Sequence, residues 1–143
     1  KISDKVERLT GQKSYIIRFP GGSSNTISRR YKTGIMSELT KKVEEKGYSY
    51  FDWNISSGDA GSTTSTKQIV YNVTKGLSPN RANMVLMHDI KGYSVNAVEE
   101  IITYGLANGY TFLQIKEKTV NIHQNVNNWW NKGNTIIKLV LFT

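Results

Sequence analysis

Met84-Val85-Leu86-Met87-His88-Asp89 is an apolar run that carries one of the chain's two histidines to its end and follows it with a carboxylate. Four apolar residues in succession, with polar residues on both sides, predict a buried strand over 83–89, of the kind found in parallel sheets. Imidazole is the side chain whose ordinary pKa lies nearest neutrality, so a histidine at the C-terminal end of a parallel strand is well placed to move protons. The same residues also fit a strand that simply ends in two polar groups.

Outward from this run, short strand-like segments alternate with amphipathic ones. Strands are predicted at 14–19, 48–54 and 110–115 as well. The first ends at Pro20-Gly21-Gly22, a turn that removes a donor and permits unusual backbone angles. Helices are predicted at 35–46, with Leu39 and Val43 one turn apart, and at 66–75, with Ile69, Val70 and Val73 on one face. Gly47 stops the first, and Gly76 with Pro79 closes the second. Ser94 is placed to cap a third, whose Val98, Ile101 and Ile102 recur at helical spacing while Glu99 and Glu100 turn outward. Strands joined by helices pair in parallel through right-handed crossovers, which makes the fold an α/β sheet or barrel. In either, the ends of the first three strands meet on one face and bring Arg18, Trp53, Asp59 and His88 into one neighbourhood.

The 143 residues suffice for one domain or part of a larger one, and no Gly/Ser linker or internal repeat divides them. A formal charge of +8 favours anionic polymers such as cell-wall glycopolymers, nucleic acid or acidic lipid. The chain has no cysteine, which excludes disulfides, thiolate metal sites and a cysteine nucleophile. It starts at Lys1 with no export signal, so it reads as processed, cropped or expressed as a piece. The longest apolar run, Ile136 to Phe142, is interrupted by Lys138, so no membrane span is expected; it is a candidate extra strand. Before it, the asparagine-rich stretch from Asn121 carries His123, read as a solvated loop residue, and Trp129-Trp130, a sugar platform or a sticky end.

Three motifs, taken in order and spacing, resemble those of the polysaccharide deacetylases, the NodB-homology family also called carbohydrate esterase family 4. Arg18-Phe19-Pro20 looks like the family's Arg-x-Pro motif, Asp52-Trp53 through Ser57-Gly58-Asp59 like its Asp/Trp motif, and Leu86-Met87-His88-Asp89 like its Leu-x-His-Asp motif. The resemblance covers about Ser14 to Ile115. It implies parallel β/α units forming the C-terminal half of a distorted (β/α) barrel, with residues 1–120 as the C-terminal part of a deacetylase domain and 121–143 as an extension of uncertain structure. A closed barrel of this type needs about 200 or more residues.

The family removes acetyl groups from polysaccharides with a divalent metal, and the resemblance implies zinc as the first candidate. His88 would be the general acid that protonates the departing amine or alkoxide, and Asp59 the carboxylate that pairs with it and holds its ring. Arg18 would orient a catalytic aspartate, while Trp53 and Leu86 would wall an acetyl pocket. Gly21 stands where many members carry an aromatic residue whose backbone N–H helps form an oxyanion pocket, and Tyr93 could stack on a sugar or pack inside. The family's Thr-Phe-Asp-Asp and His-Ser/Thr-x-x-His motifs, which supply the base and the metal ligands, do not occur here. The chain alone is therefore expected to be inactive, with partners in an acetylated polysaccharide and a missing N-terminal part of the domain, at a bacterial cell wall or outside the cell.

The plainer readings stand beside these. Arg18 also suits a surface ion pair, Leu86 the core and Asp59 a Gly-Asp turn. Asp52 has no assigned role, and Arg29, Arg30 and Lys32 are either a glycan contact or a solvated charge run. A non-catalytic glycan-binding module of the same fold is the alternative to an enzyme. Nucleic-acid binding rests on charge alone, with no recognition helix, and is not expected.

Overall fold

The structure is a computed structural model that describes residues 2–126. Trp129, Trp130 and the candidate strand at 136–142 lie outside the described residues. The chain divides into two compact units.

Among the described residues, the first unit takes in the chain up to Asp52 and the segment 116–126. It contains helix α1 (Ile2–Thr10), strand β1 (Ile16–Ile17), a 3-10 turn at Ile27–Arg30, helix α2 (Ile35–Glu45) and strand β2 (Ser49–Tyr50). β1 and β2 pair in parallel, Ile16 opposite Ser49 and Ile17 opposite Tyr50, with α2 as the crossover that packs on β2. Helix α2 ends where the sequence predicts, because Gly47 adopts the left-handed backbone (φ 77°) that lets the Tyr48 N–H turn back to the Val43 carbonyl at 3.0 Å. The Phe51 N–H continues the pairing to the Ile17 carbonyl at 3.1 Å. Phe51 and Tyr50 are buried, and Phe19 meets the Tyr50 ring edge-on at 5.3 Å.

The second unit, Trp53–Ile115, is a β-α-β-α chain of strand β3 (Ile55–Ser56), helix α3 (Thr66–Gly76), strand β4 (Val85–Leu86) and helix α4 (Gly92–Ala107). β3 and β4 are parallel, Ile55 opposite Val85 and Ser56 opposite Leu86. The Asn54 side chain extends this pairing at its entry, donating to the Ala82 carbonyl at 2.7 Å and accepting the Met84 N–H at 2.9 Å. One core joins Ile55, Val85 and Met87 to Ile69, Val70 and Val73 of α3 and to Ala97 and Ile101 of α4. Ile69 and Val73 are fully buried, each contributing about 1.5–3 kcal/mol relative to exposure. At Gly105 a Cβ would come within 2.5 Å of the Phe112 ring, so glycine is what lets that ring pack on α4.

Helices α2, α3 and α4 match the sequence reading closely, whereas α1 was not anticipated and the strands differ from it. Each observed ladder is two residues long, and the described strands form two separate parallel pairs. Ser56, expected to open a loop, forms β3 with Ile55, because their pairing with Val85 and Leu86 continues the Asn54 N–H to Met84 carbonyl bond, 3.1 Å. Residues 110–115 lie in no ladder: Phe112 is half-buried against Gly105 instead of standing in a sheet. Ser94 is not a cap. Lys91 takes that position, and Ser94 lies in the first turn of α4 with its hydroxyl directed elsewhere.

Candidate active site

Two parallel neighbours deliver their following loops to the same end of the pair, so the loops after β3 and β4 adjoin. The Ser57 N–H to Leu86 carbonyl bond, 3.2 Å, carries the pairing one step beyond the strands. Gly58 then turns with φ 83°, and its carbonyl accepts the N–H groups of Ser62 and Thr63 at 2.9 and 3.0 Å. Asn72 on α3 donates to the Ser57 carbonyl at 2.9 Å and pins the loop from the helix side.

Asp59 emerges from this turn only 2% exposed. Its Oδ2 accepts the His88 backbone N–H at 2.7 Å and the Ser94 hydroxyl at 2.7 Å, and its Oδ1 lies 2.9 Å from His88 Nδ1. Burial alone would raise the Asp59 carboxyl. The hydrogen bonds from Ser94 and from the ring and backbone of His88 outweigh it and hold the group below the ordinary carboxylate range. With Nδ1 engaged, Nε2 is the ring nitrogen left for exchange, and the His88 side chain is 27% exposed. The arrangement is a fixed carboxylate behind an imidazole that reaches solvent, which can deliver or accept a proton at Nε2.

The other expected residues fall as follows. Leu86 is buried in β4, Trp53 is half-buried, and Tyr93 is half-buried against the core with its hydroxyl 3.5 Å from the Asp59 carbonyl. Arg18 and Gly21 belong to the first unit. Arg18 is half-buried and donates from Nη1 to the Phe19 carbonyl at 3.3 Å. Gly21 is exposed with φ 71°, third in a turn closed by the Gly22 N–H to Phe19 carbonyl bond, 2.9 Å. A Cβ there would stand 2.9 Å from Asn25 Nδ2, so glycine suits both the backbone and the space.

Asp52, unassigned from sequence, is fully buried in the first unit. It accepts the Ser23 N–H and the Gln124 N–H, both at 2.8 Å, and a short hydrogen bond from the Ser23 hydroxyl. His123 is exposed, as expected of a loop residue, yet it is engaged: its ring stacks on Tyr50 at 3.8 Å and its Nε2–H donates to the Tyr50 carbonyl at 3.0 Å. Burial, with the charges of Glu44 and Asp52, pushes the Tyr50 hydroxyl up to about 12. Arg29 and Arg30 are exposed, and Lys32 pairs with Glu38, which Lys42 also meets at 2.5 Å. Among the described residues no group of three His, Cys, Asp or Glu side chains comes together to hold a metal, so the residues present do not fit the metal that the motifs imply.

No family model matches the chain. Over 88% of its length it superposes with a TM-score of 0.82, at 50% identity, on the crystal structure of the catalytic domain of a peptidoglycan N-acetylglucosamine deacetylase from Eubacterium rectale. This chain is a relative of the polysaccharide deacetylases. A polysaccharide deacetylase from Bacillus cereus matches 87% of the chain at 28% identity and a TM-score of 0.68. A candidate polysaccharide deacetylase of Bacillus subtilis, YheN, is 29% identical over 126 residues, 85% of the chain. The chain spans 58% and 61% of the two deacetylases of known structure and 41% of YheN. Ser94 is the residue of this arrangement that sequence motifs missed; a serine near a helix start reads as a cap, and only the fold shows which carboxylate it serves.

Proposed function

We propose that this chain forms part of a polysaccharide deacetylase that hydrolyses the acetamido group of N-acetylglucosamine units in peptidoglycan or a chitin-like glycan. The observation that carries the reading is the Asp59–His88 pair, held at 2.9 Å in a chain half identical to a peptidoglycan N-acetylglucosamine deacetylase domain. Amide hydrolysis adds a hydroxyl to the carbonyl carbon and must give a proton to the departing amine as the C–N bond breaks. His88 Nε2 supplies that proton as general acid, while Asp59 fixes the ring through Nδ1. The products are acetate and a free glucosamine amine.

The reading extends to residues of both units. Arg18 orients a catalytic carboxylate supplied from outside this chain, Gly21 contributes a backbone N–H to an oxyanion pocket, and Trp53, Leu86 and Tyr93 line the substrate side. The two β-α-β pieces belong to the C-terminal half of a (β/α) barrel completed by a preceding part of the domain. A divalent metal, with zinc as first candidate, takes its ligands from that other part. An insoluble glycan substrate places the protein at the cell wall or outside the cell. Among the described residues no helix is long and apolar enough to cross a membrane.

Acetate release from N-acetylglucosamine oligomers and from peptidoglycan by the intact protein tests the reading. Replacement His88→Ala is expected to lower the rate by about 10²–10⁴-fold. Undiminished turnover in that variant would remove the assignment, and glycan binding without acetate release in the wild type would favour a binding module instead.

A further inference from the structure

Ser94 has no assigned part in the site, and its surroundings are unusual for a helical serine. It is 1% exposed, in the first turn of α4, where the N-cap is Lys91 and its own N–H is already satisfied by the Lys91 carbonyl at 2.8 Å. Its hydroxyl is therefore not needed by the helix backbone. A buried hydroxyl without a partner is costly, and this one donates to Asp59 Oδ2 at 2.7 Å.

That bond differs in kind from the other contacts of the carboxylate. Two donors to Asp59 belong to His88 itself, its N–H on Oδ2 and its ring on Oδ1, and Ser57, whose Oγ accepts the Asp59 backbone N–H at 3.3 Å, belongs to the loop that carries Asp59. Held by these alone, loop and histidine could shift together, and the two oxygens could exchange by rotation of the carboxylate. Ser94 is anchored independently, on a helix whose Ala97 and Ile101 are set in the core. It makes the two oxygens unequal, loading Oδ2 with two donors and leaving Oδ1 for the ring.

We infer that Ser94 is a positioning residue that locks the Asp59 carboxylate so that Oδ1 faces His88 Nδ1–H and the ring gains and loses its second proton at Nε2. The inference rests on the reading of His88 as proton donor and adds the element that holds it in register. A tyrosine hydroxyl, that of Tyr93, is directed at the Asp59 backbone carbonyl at 3.5 Å and does not substitute for Ser94 at the carboxylate.

The test is ¹⁵N NMR of the His88 ring in the intact protein at a pH where the ring is neutral, assigned by comparison with His88→Asn. Wild type is expected to show Nδ1 protonated and Nε2 bare. Ser94→Thr and Ser94→Val have one shape, with and without the hydroxyl, so their difference reads the hydrogen bond apart from packing; Ser94→Ala, which adds no atoms, serves if that pair fails to fold. Thr should keep the wild-type pattern. Val or Ala should lower the ratio of Nδ1–H to Nε2–H form by about tenfold, the worth of one hydrogen bond to a charged group. An unchanged ratio in folded Val or Ala protein overturns the inference, whatever happens to acetate release. The expected change in a protein that releases no acetate supports the inference while removing the deacetylase reading.

Discussion

The two units each bury a carboxylate, and the two differ in where their hydrogen bonds lead. Asp52 is surrounded by Ser23 N–H, Ser23 hydroxyl and Gln124 N–H, donors that end inside the protein. Asp59 takes a backbone N–H and a serine hydroxyl in the same way, but its third partner is the ring of His88, which reaches solvent. Identical chemistry at the carboxylate thus leads to different consequences. In the first unit it ties the Gly21–Ser23 turn to the returning segment at Gln124; in the second it holds an imidazole that the proposed function makes a proton carrier.

The contrast breaks most sharply at Asp52. Replacement Asp52→Ala removes the acceptor of the buried Ser23 N–H and the part-buried Gln124 N–H, while the Ser23 hydroxyl keeps the Gln124 carbonyl at 3.3 Å, so a loss of about 2 kcal/mol or more is expected in urea unfolding of the intact protein. A loss under about 1 kcal/mol would show that the hub is solvated rather than structural.

Acidification probes the other carboxylate. Asp59 titrates in the folded protein below its ordinary value of 3.8, so folding favours its ionised form. That contribution is present in full above the ordinary value and is lost as pH falls through the lower, folded one. Thermal melts should show a smaller drop in Tm below about pH 4 for Asp59→Asn than for wild type. Equal drops would mean that the Asp59 network contributes nothing on acidification.

The smallest expected effect lies in the helices that carry the two loops. Helix α2 begins at Gly34 with no side-chain cap, whereas Ser65 caps α3 by accepting the Gln68 N–H at 3.3 Å. Ser65→Ala should cost about 1 kcal/mol by chemical unfolding, with acetate release unaltered. A larger loss would tie the Ser57–Ser65 loop to the cap.

Helices α2, α3 and α4 were legible because Leu39 and Val43, Ile69, Val70 and Val73, or Val98, Ile101 and Ile102 repeat at the helical period, whereas α1 was not read from the sequence. Strand ends were less so. A parallel strand buried on both faces has no alternation to fix its register, and Ile55 and Ser56 joined β3 through pairing with Val85 and Leu86, a partner 30 residues away. His88 and Asp59 were named as a pair through motif resemblance, and their side chains stand 2.9 Å apart. Ser94 and the partners of Asp52 were not, because a serine carries no sign of which distant carboxylate it serves. His123 likewise looked like a loop residue, and it takes the fold to stack it on Tyr50.

The most direct test of the contrast is acetate release by Asp59→Asn and Asp52→Asn, measured on folded protein well below either melting temperature. The amide at position 59 keeps the shape but can present an N–H to His88 Nδ1, which selects the wrong tautomer. Asp59→Asn is predicted to lose about 10²-fold or more, whereas Asp52→Asn, once folded, retains turnover within a few-fold of wild type. Full turnover in folded Asp59→Asn would contradict the assignment of the Asp59–His88 pair as the proton-delivering site.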